Sequence, residues 1–479
     1  MKKNYLYLAA ATFLLAGCAQ DSFVDENLQE TTVPQEIKMS AGNRGISVET
    51  RGIGSVGGTN DSQWDGETVK IYAFNKSLST FNLGAESNDN IFIKGATATV
   101  GAGSSQTGIS FTEGTKYYPL TGAFNFVGYH ADGADKDENG NVAASLVNNN
   151  IQIPITIDGS QDIMIAKADL SYGDKEALVE ALIKSGKLGN NTQVPATNFI
   201  YSQAEADQAV DLLPGDPKPD NNPNDEINEI EIINNEYKKA FSSYTARRQV
   251  QPNLVFEHQL VRLNFYVKAG DEKTIASTVE DQGTDQTTGE VTTINKELGV
   301  YIKSITVGSR TLGDIKIDKE GGIQFNARNE INADGDYKFL SVGTKNTTTK
   351  EIEVLKLTGD ELEAGKTFEE NKADKVGEGI LVMLPVDNKY IAQITTLQKY
   401  DAQGKLIATG KQENTYDAIT IQKPQKDGEV VNFEAGKSYD VTITVYSNQI
   451  INISATLTGW ESGGSIEVNP EDDKFNSGI

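Results

Sequence analysis

His130 and His258 are the only imidazoles in this 479-residue chain, so they bound what proton-transfer or His-metal chemistry it can do. His130 follows Tyr129 at the end of an aromatic run, and His258 opens a strand-like run. A metal site or a His-based triad needs more partners than this chain supplies. His258 therefore reads as a packing or capping residue that hydrogen-bonds backbone. Asp135, Asp137 and Asn139, with Gly140, have the spacing of the first half of a calcium loop, where several oxygens converge on one hard cation. The twelfth position is Leu146, where a bidentate Glu is needed, so an acidic hairpin tip is the preferred reading and no metal is expected. Trp64 and Trp460 are the right type for stacking on a sugar ring, but a Trp at a strand end more often fills a core or interface. No Gly-rich phosphate loop follows a strand and opens a helix. Carboxylate pairs cannot be singled out from so acidic a chain. The expectation is no catalytic residue, no cofactor and no enzyme activity.

The one residue with a definite covalent role is Cys18, the only cysteine. Lys2 and Lys3 form a short positive region. Tyr5 to Leu15 is apolar and uncharged, and too short to span a bilayer, which needs about 20 apolar residues. Leu15-Ala16-Gly17-Cys18 then resembles the bacterial lipobox, in which a diacylglycerol is joined to the Cys thiol before cleavage. Residues 1–17 are expected to be the lipoprotein signal, with outer-membrane lipid held through Cys18. A lipidated Cys18 leaves no thiol for disulfides, Cys-metal sites or thiol catalysis. The net charge of −25 repels nucleic acid and anionic membrane surfaces.

What must position any site is a series of short alternating runs. Val261, Leu263, Phe265 and Val267 alternate with polar or larger residues. So do Val441, Ile443 and Val445, and Ile451, Ile453, Ala455 and Leu457. Period two with one apolar face marks half-buried antiparallel strands. Val69–Phe74, Phe124–Tyr129, Ile151–Ile157 and Ile302–Val307 read the same way. Lys319-Glu320-Gly321-Gly322 is a turn between two short strands. The class expected is all-β with minor helices, built as antiparallel β-sandwiches. Asp174 can cap one helix, with Ala177, Leu178, Ala181 and Leu182 on one face. Ser202 and Glu205 form a capping box for a second. Residues 18–35 read as a flexible tether. A first domain is expected over 36–250, with a helical and acidic insertion and linker at 170–250. A second domain follows over 251–468, then a polar tail over 469–479.

Several segments in order resemble the fimbrillin family of Bacteroidetes, in its Mfa-like branch. Glu49-Thr50-Arg51 gives the family's Thr-Arg step. Trp64-Asp65-Gly66 leads into the strand Val69–Phe74. Tyr117-Tyr118-Pro119 precedes Phe124-Asn125-Phe126. Asp162-Ile163-Met164-Ile165-Ala166 and Phe256-Glu257-His258 match two further strand openings. Leu384-Pro385, Ala435–Tyr439 and Gly459-Trp460 complete the series. The resemblance implies two tandem transthyretin-like sandwiches. It implies a structural subunit of a cell-surface fimbria, whether stalk, tip or accessory, with a role in adhesion. The implied partners are other fimbrial subunits, in a homo- or hetero-polymer, and a processing protease.

Residues 36–51 hold two strand-like pieces ahead of the first sandwich strand. Ile37, Met39 and Ala41 form one, and Ile46 and Val48 the other. Arg51 precedes Gly52-Ile53-Gly54-Ser55-Val56-Gly57-Gly58, which a protease can bind extended. The expectation is a trypsin-like cut after Arg51 that releases a strand and opens a groove for a neighbour's donor strand. Arg44 is a second site, but cutting there leaves Ile46 and Val48 in place. A reading from another class is a carbohydrate-binding surface lipoprotein of a glycan-uptake system. It shares the lipobox, acidity and sandwiches but calls for clustered exposed Trp.

Overall fold

The structure is a computed structural model. It describes residues 34–42, 67–83, 91–101, 106–136, 144–170, 172–184, 240–247, 250–270, 277–284, 291–328, 337–342, 373–398, 412–421, 429–446 and 450–458, with a few single residues and pairs between them. The fold is all-β with minor helices, as the alternating runs require.

The first sheet contains β1 (Met39–Gly42), β2 (Thr68–Asn75), β3 (Ile91–Val100), β4 (Gln106–Phe111), β5 (Phe124–His130), β8 (Met164–Asp169), β9 (Asn253–Val255) and β10 (Glu257–His258). Its order is β10-β8-β5-β2-β3-β4-β1-β9, and β9 pairs back onto β8. The ladder therefore closes on itself, which removes open edges along most of its girth. Inside lie Ile37, Met39, Ala41, Val69, Ile71, Phe126, Met164 and Leu254. The same core takes in Leu178, Val179 and Leu182 of α1 (Tyr172–Lys184) and Phe241. A short α2 (Ser243–Ala246) follows, capped reciprocally by Ser242 and Thr245.

β2 and β5 are buried on both faces, and β5 has no exposed residue. Their outward Tyr72, Phe74, Val127 and Tyr129 pack against a four-stranded sheet. That sheet has the order β16-β15-β7-β6, from β6 (Ser145–Val147), β7 (Asn150–Thr156), β15 (Leu312–Ile317) and β16 (Ile323–Ala327). Ile151, Ile153 and Ile155 of β7 meet Ile315 and Ile317 of β15 in this core. The β15–β16 turn closes as its sequence implies. Gly321 has φ +86°, and Gly322 N–H donates to Asp318 Oδ1 at 2.7 Å.

The remaining strands form a sandwich around a third core. One sheet has the order β18-β11-β23-β24-β21-β22, from β11 (Val261–Ala269), β18 (Asp374–Val382), β21 (Gln425–Lys426), β22 (Glu429–Val430), β23 (Ser438–Tyr446) and β24 (Ile450–Thr458). The other has the order β17-β14-β19-β20, from β14 (Tyr301–Arg310), β17 (Tyr337–Ser341), β19 (Tyr390–Gln398) and β20 (Gln412–Ile421). Leu263, Phe265, Val307, Ile394, Val441 and Ile443 meet between them. β12 (Ser277–Thr284) and β13 (Val291–Leu298) pair as a separate hairpin.

Ladders cross the division at residues 250 and 251 that the sequence places between domains. β9 and β10 belong to the first sheet, and β15 pairs with β7 from Leu312↔Thr156 to Ile317↔Ile151. β14 and β15 are separated only by Thr311, whose carbonyl accepts Ile157 N–H at 2.8 Å. Among the described residues, no helix is long and apolar enough to cross a membrane.

Candidate functional site

The segment that the sequence marks as removable is fixed on both sides. Ile37 N–H donates to Lys116 O at 2.9 Å, and Tyr118 N–H donates to Gln35 O at 2.8 Å. β1 then runs antiparallel to β4, with Met39 opposite Ile109, and parallel to β9, with Ser40 opposite Asn253. Ser40 Oγ donates to Asn253 Oδ1 at 2.9 Å. The alternation read from sequence holds: Ile37, Met39 and Ala41 are 4%, 3% and 1% exposed, while Lys38 is exposed. β1 is thus a stave of the closed sheet with partners on both flanks.

Cys18, Arg44 and Arg51 lie outside the described residues. So do Ile46, Val48, Trp64, Trp460, the second expected helix, and the acidic tract 216–236 apart from the buried Ile233. Of the calcium-like set, Asp137 and Asn139 also lie outside them. Asp135 is 4% exposed and accepts the Tyr129 hydroxyl at 2.7 Å, so its carboxylate serves an internal hydrogen bond.

The two histidines come together across one strand. Met164 of β8 stands opposite His130 of β5 on one side and His258 of β10 on the other. His130 Nδ1 donates to the Thr68 carbonyl at 2.8 Å, and Nε2 lies 3.0 Å from Asp132 Oδ1. Two acceptors facing both ring nitrogens favour the imidazolium. Burial pushes its pKa down, but the Asp132 hydrogen bond and charge and the Thr68 carbonyl outweigh burial and lift it to about 9. Asp132 sits at φ +45°, and its Oδ2 accepts Asp162 N–H at 2.9 Å. His258 Nδ1 in turn donates to Asp162 Oδ1 at 3.0 Å, and Asp162 Oδ2 lies 2.8 Å from the same nitrogen. One polar chain therefore runs from Thr68 to His258. His258, expected to bond backbone, has its Nδ1 answered by a carboxylate. Its own carbonyl lies 3.0 Å from where a Cβ on Gly436 would stand, at φ +74°, so that turn requires glycine.

No family model matches the sequence, and no curated protein matches it. Solved structures do resemble the fold. A proposed cell adhesion protein from Bacteroides uniformis is 13% identical, covers 90% of this chain and 100% of its own, and has a TM-score of 0.37. The fimbrial anchor protein Mfa2 from Porphyromonas gingivalis is 7% identical, covers 90% of this chain and 100% of its own, and has a TM-score of 0.27. The tip fimbrial protein Mfa3 from the same organism, with C-terminal truncation, is 8% identical, covers 89% and 100%, and scores 0.30.

Sequence reasoning missed Asp162, Asp132 and Glu67 as polar partners. Asp132 was legible, two residues beyond His130. Asp162 and His258 are 96 positions apart, and only the β8–β10 pairing joins them. Glu67, just ahead of β2, comes within 4.8 Å of His130 because β2 pairs with β5.

Proposed function

We propose that this chain is a structural subunit of a cell-surface fimbria, exported as a lipoprotein on Cys18 and assembled by strand exchange. The observation that carries the reading is the placement of β1. It lies between β4 and β9, contributes alternate apolar side chains to the core, and sits in the sequence between Cys18 and Arg51. One cut after Arg51 would sever both the lipid and β1 from the rest of the chain. Loss of β1 would leave two unpaired ladders facing each other across an apolar slot.

A donor strand from a neighbour fits such a slot. Backbone hydrogen bonds on both sides supply affinity, and residues taking the places of Ile37, Met39 and Ala41 supply register. The contact is heterologous, so it propagates as a filament. Burying Ile37 and Met39 stabilises β1 in place by about 1.5–3 kcal/mol each. The cut strand would therefore stay until a donor displaces it, which keeps the subunit monomeric during export. Processing protease, outer-membrane lipid and like or unlike subunits are the partners this reading requires, and the cell surface is its location.

Limited trypsin digestion of the folded protein with N-terminal sequencing tests it. The expected result is a new N-terminus at Gly52, followed by oligomers. Resistance at Arg51 while other loops are nicked, or cleavage with no gain of assembly, would count against it.

A further inference from the structure

Apart from the β1 slot, three donor groups converge where the chain enters β2. One oxygen of Glu67, one ring nitrogen of His130 and one oxygen of Asp132 all lie within 4.8 Å of one another. His130 is 2% exposed, while Glu67 and Asp132 are only partly buried, so the cluster has a solvent side. We propose that Glu67, His130 and Asp132 form a binding site for a divalent transition metal of the zinc class, which fastens the start of β2 to the end of β5.

The supports around these groups are those a metal site needs. A ligating His normally donates its other ring N–H to a carbonyl or carboxylate, which fixes tautomer and ring orientation. His130 does so through Nδ1 to the Thr68 carbonyl at 2.8 Å, leaving Nε2 toward Asp132 Oδ1. Asp132 is held by the Asp162 N–H on Oδ2, so Oδ1 is the atom turned to His130. Asp132 also adopts φ +45°, a conformation that costs energy for a non-glycine residue and aims its side chain inward. The Glu67 backbone is anchored by its carbonyl, which accepts Val100 N–H at 2.9 Å.

An ion and a proton compete for Nε2, and two carboxylates beside it supply the charge that a divalent ion needs. A divalent ion with neutral imidazole balances both carboxylates. The ion takes the place of the Nε2 proton, which leaves to solvent. Zinc ligands at about 2.0–2.1 Å in a tetrahedron stand about 3.3 Å apart. The 3.0 Å between Nε2 and Asp132 Oδ1 need open by only a few tenths of an ångström. Imidazole with carboxylates suits zinc or manganese better than calcium, which takes oxygen alone. The remaining position is left to water. With one cysteine in the chain, no internal disulfide can do this stapling.

The test uses untagged full-length protein stripped with a chelator and titrated with Zn2+ alone. Calorimetry should show one saturable site per chain, micromolar or tighter. The unfolding midpoint should rise by several degrees, because the ion binds only the folded state. Glu67→Gln and Asp132→Asn should each weaken binding at least tenfold. Glu67→Gln is the informative variant: it should unfold like wild type without metal, so its lost Zn2+ response cannot be blamed on misfolding. Asp135→Asn should keep full Zn2+ affinity. Absence of a saturable site would overturn the proposal, as would undiminished binding in Glu67→Gln or an equal loss in Asp135→Asn.

Discussion

A carboxylate taken out of water must be answered by a donor, and Asp162 is answered by His258. The two side chains are 0% and 2% exposed. Removing one partner strands the other, which costs far more than the pair contributes as a pair. His258→Ala should therefore destabilise the protein by about 3–5 kcal/mol. His258→Gln, which keeps an N–H toward Asp162, should recover part of that. Urea unfolding of both variants checks this, and a loss below about 1 kcal/mol in His258→Ala would show that water replaces the ring. At this scale the sequence was a poor guide. It named both histidines but assigned His258 a backbone partner. A side chain's type says what bonds it can make, and only the tertiary pairing says with which atom.

Elements were more legible than sites. Val69–Phe74, Phe124–Tyr129 and Ile151–Ile157 fall on β2, β5 and β7; β7 alternates as a half-buried strand should, whereas β2 and β5 are buried on both faces. Ile37, Met39 and Ala41 were read as an inward face, and they are one. What the spacing could not give was the company each strand keeps. β1 was expected in a groove, yet its parallel pairing with β9, more than two hundred residues on, depends on where the chain returns. β12 and β13 went unread because their polar runs, such as Ser277–Thr284, carry no apolar period. The double pairing of β1 sets a specific expectation. Met39→Asp would put a charge into a 3% exposed position and should drive β1 out of the sheet. Hydrogen exchange should then rise in both β4 and β9. Exchange that rises in β4 alone would mean that β1 is held from one side only.

Across the whole molecule, a two-part reading has to accommodate strands that belong to both parts. β15 and β16 follow β14 in the chain, yet complete the sheet of β6 and β7. Leu381 N–H donates to Gly159 O, and Gln259 N–H to Ile163 O, both across the same junction. Leu260, Leu381 and Met383 share a core with Tyr72 and Phe74. Loss of either half therefore exposes apolar surface of the other, and cooperativity follows shared burial. Calorimetric unfolding is expected as one transition. Ile315→Ala, at a 0% exposed position, should lower its midpoint without splitting it. Two separated transitions in the wild-type protein would show that the crossing ladder couples the halves weakly.

The uninterrupted run of β14 through Thr311 into β15 also has a mechanical meaning. Tension drawn through the chain cannot part the halves by straightening a slack linker. Thr311 is itself bonded to Ile157, and the strand is hydrogen-bonded on either side of it. The joint behaves as a splice, in which one fibre is bound into two bundles. Its extension under load would be set by the breaking of ladders, with no elastic give before they yield.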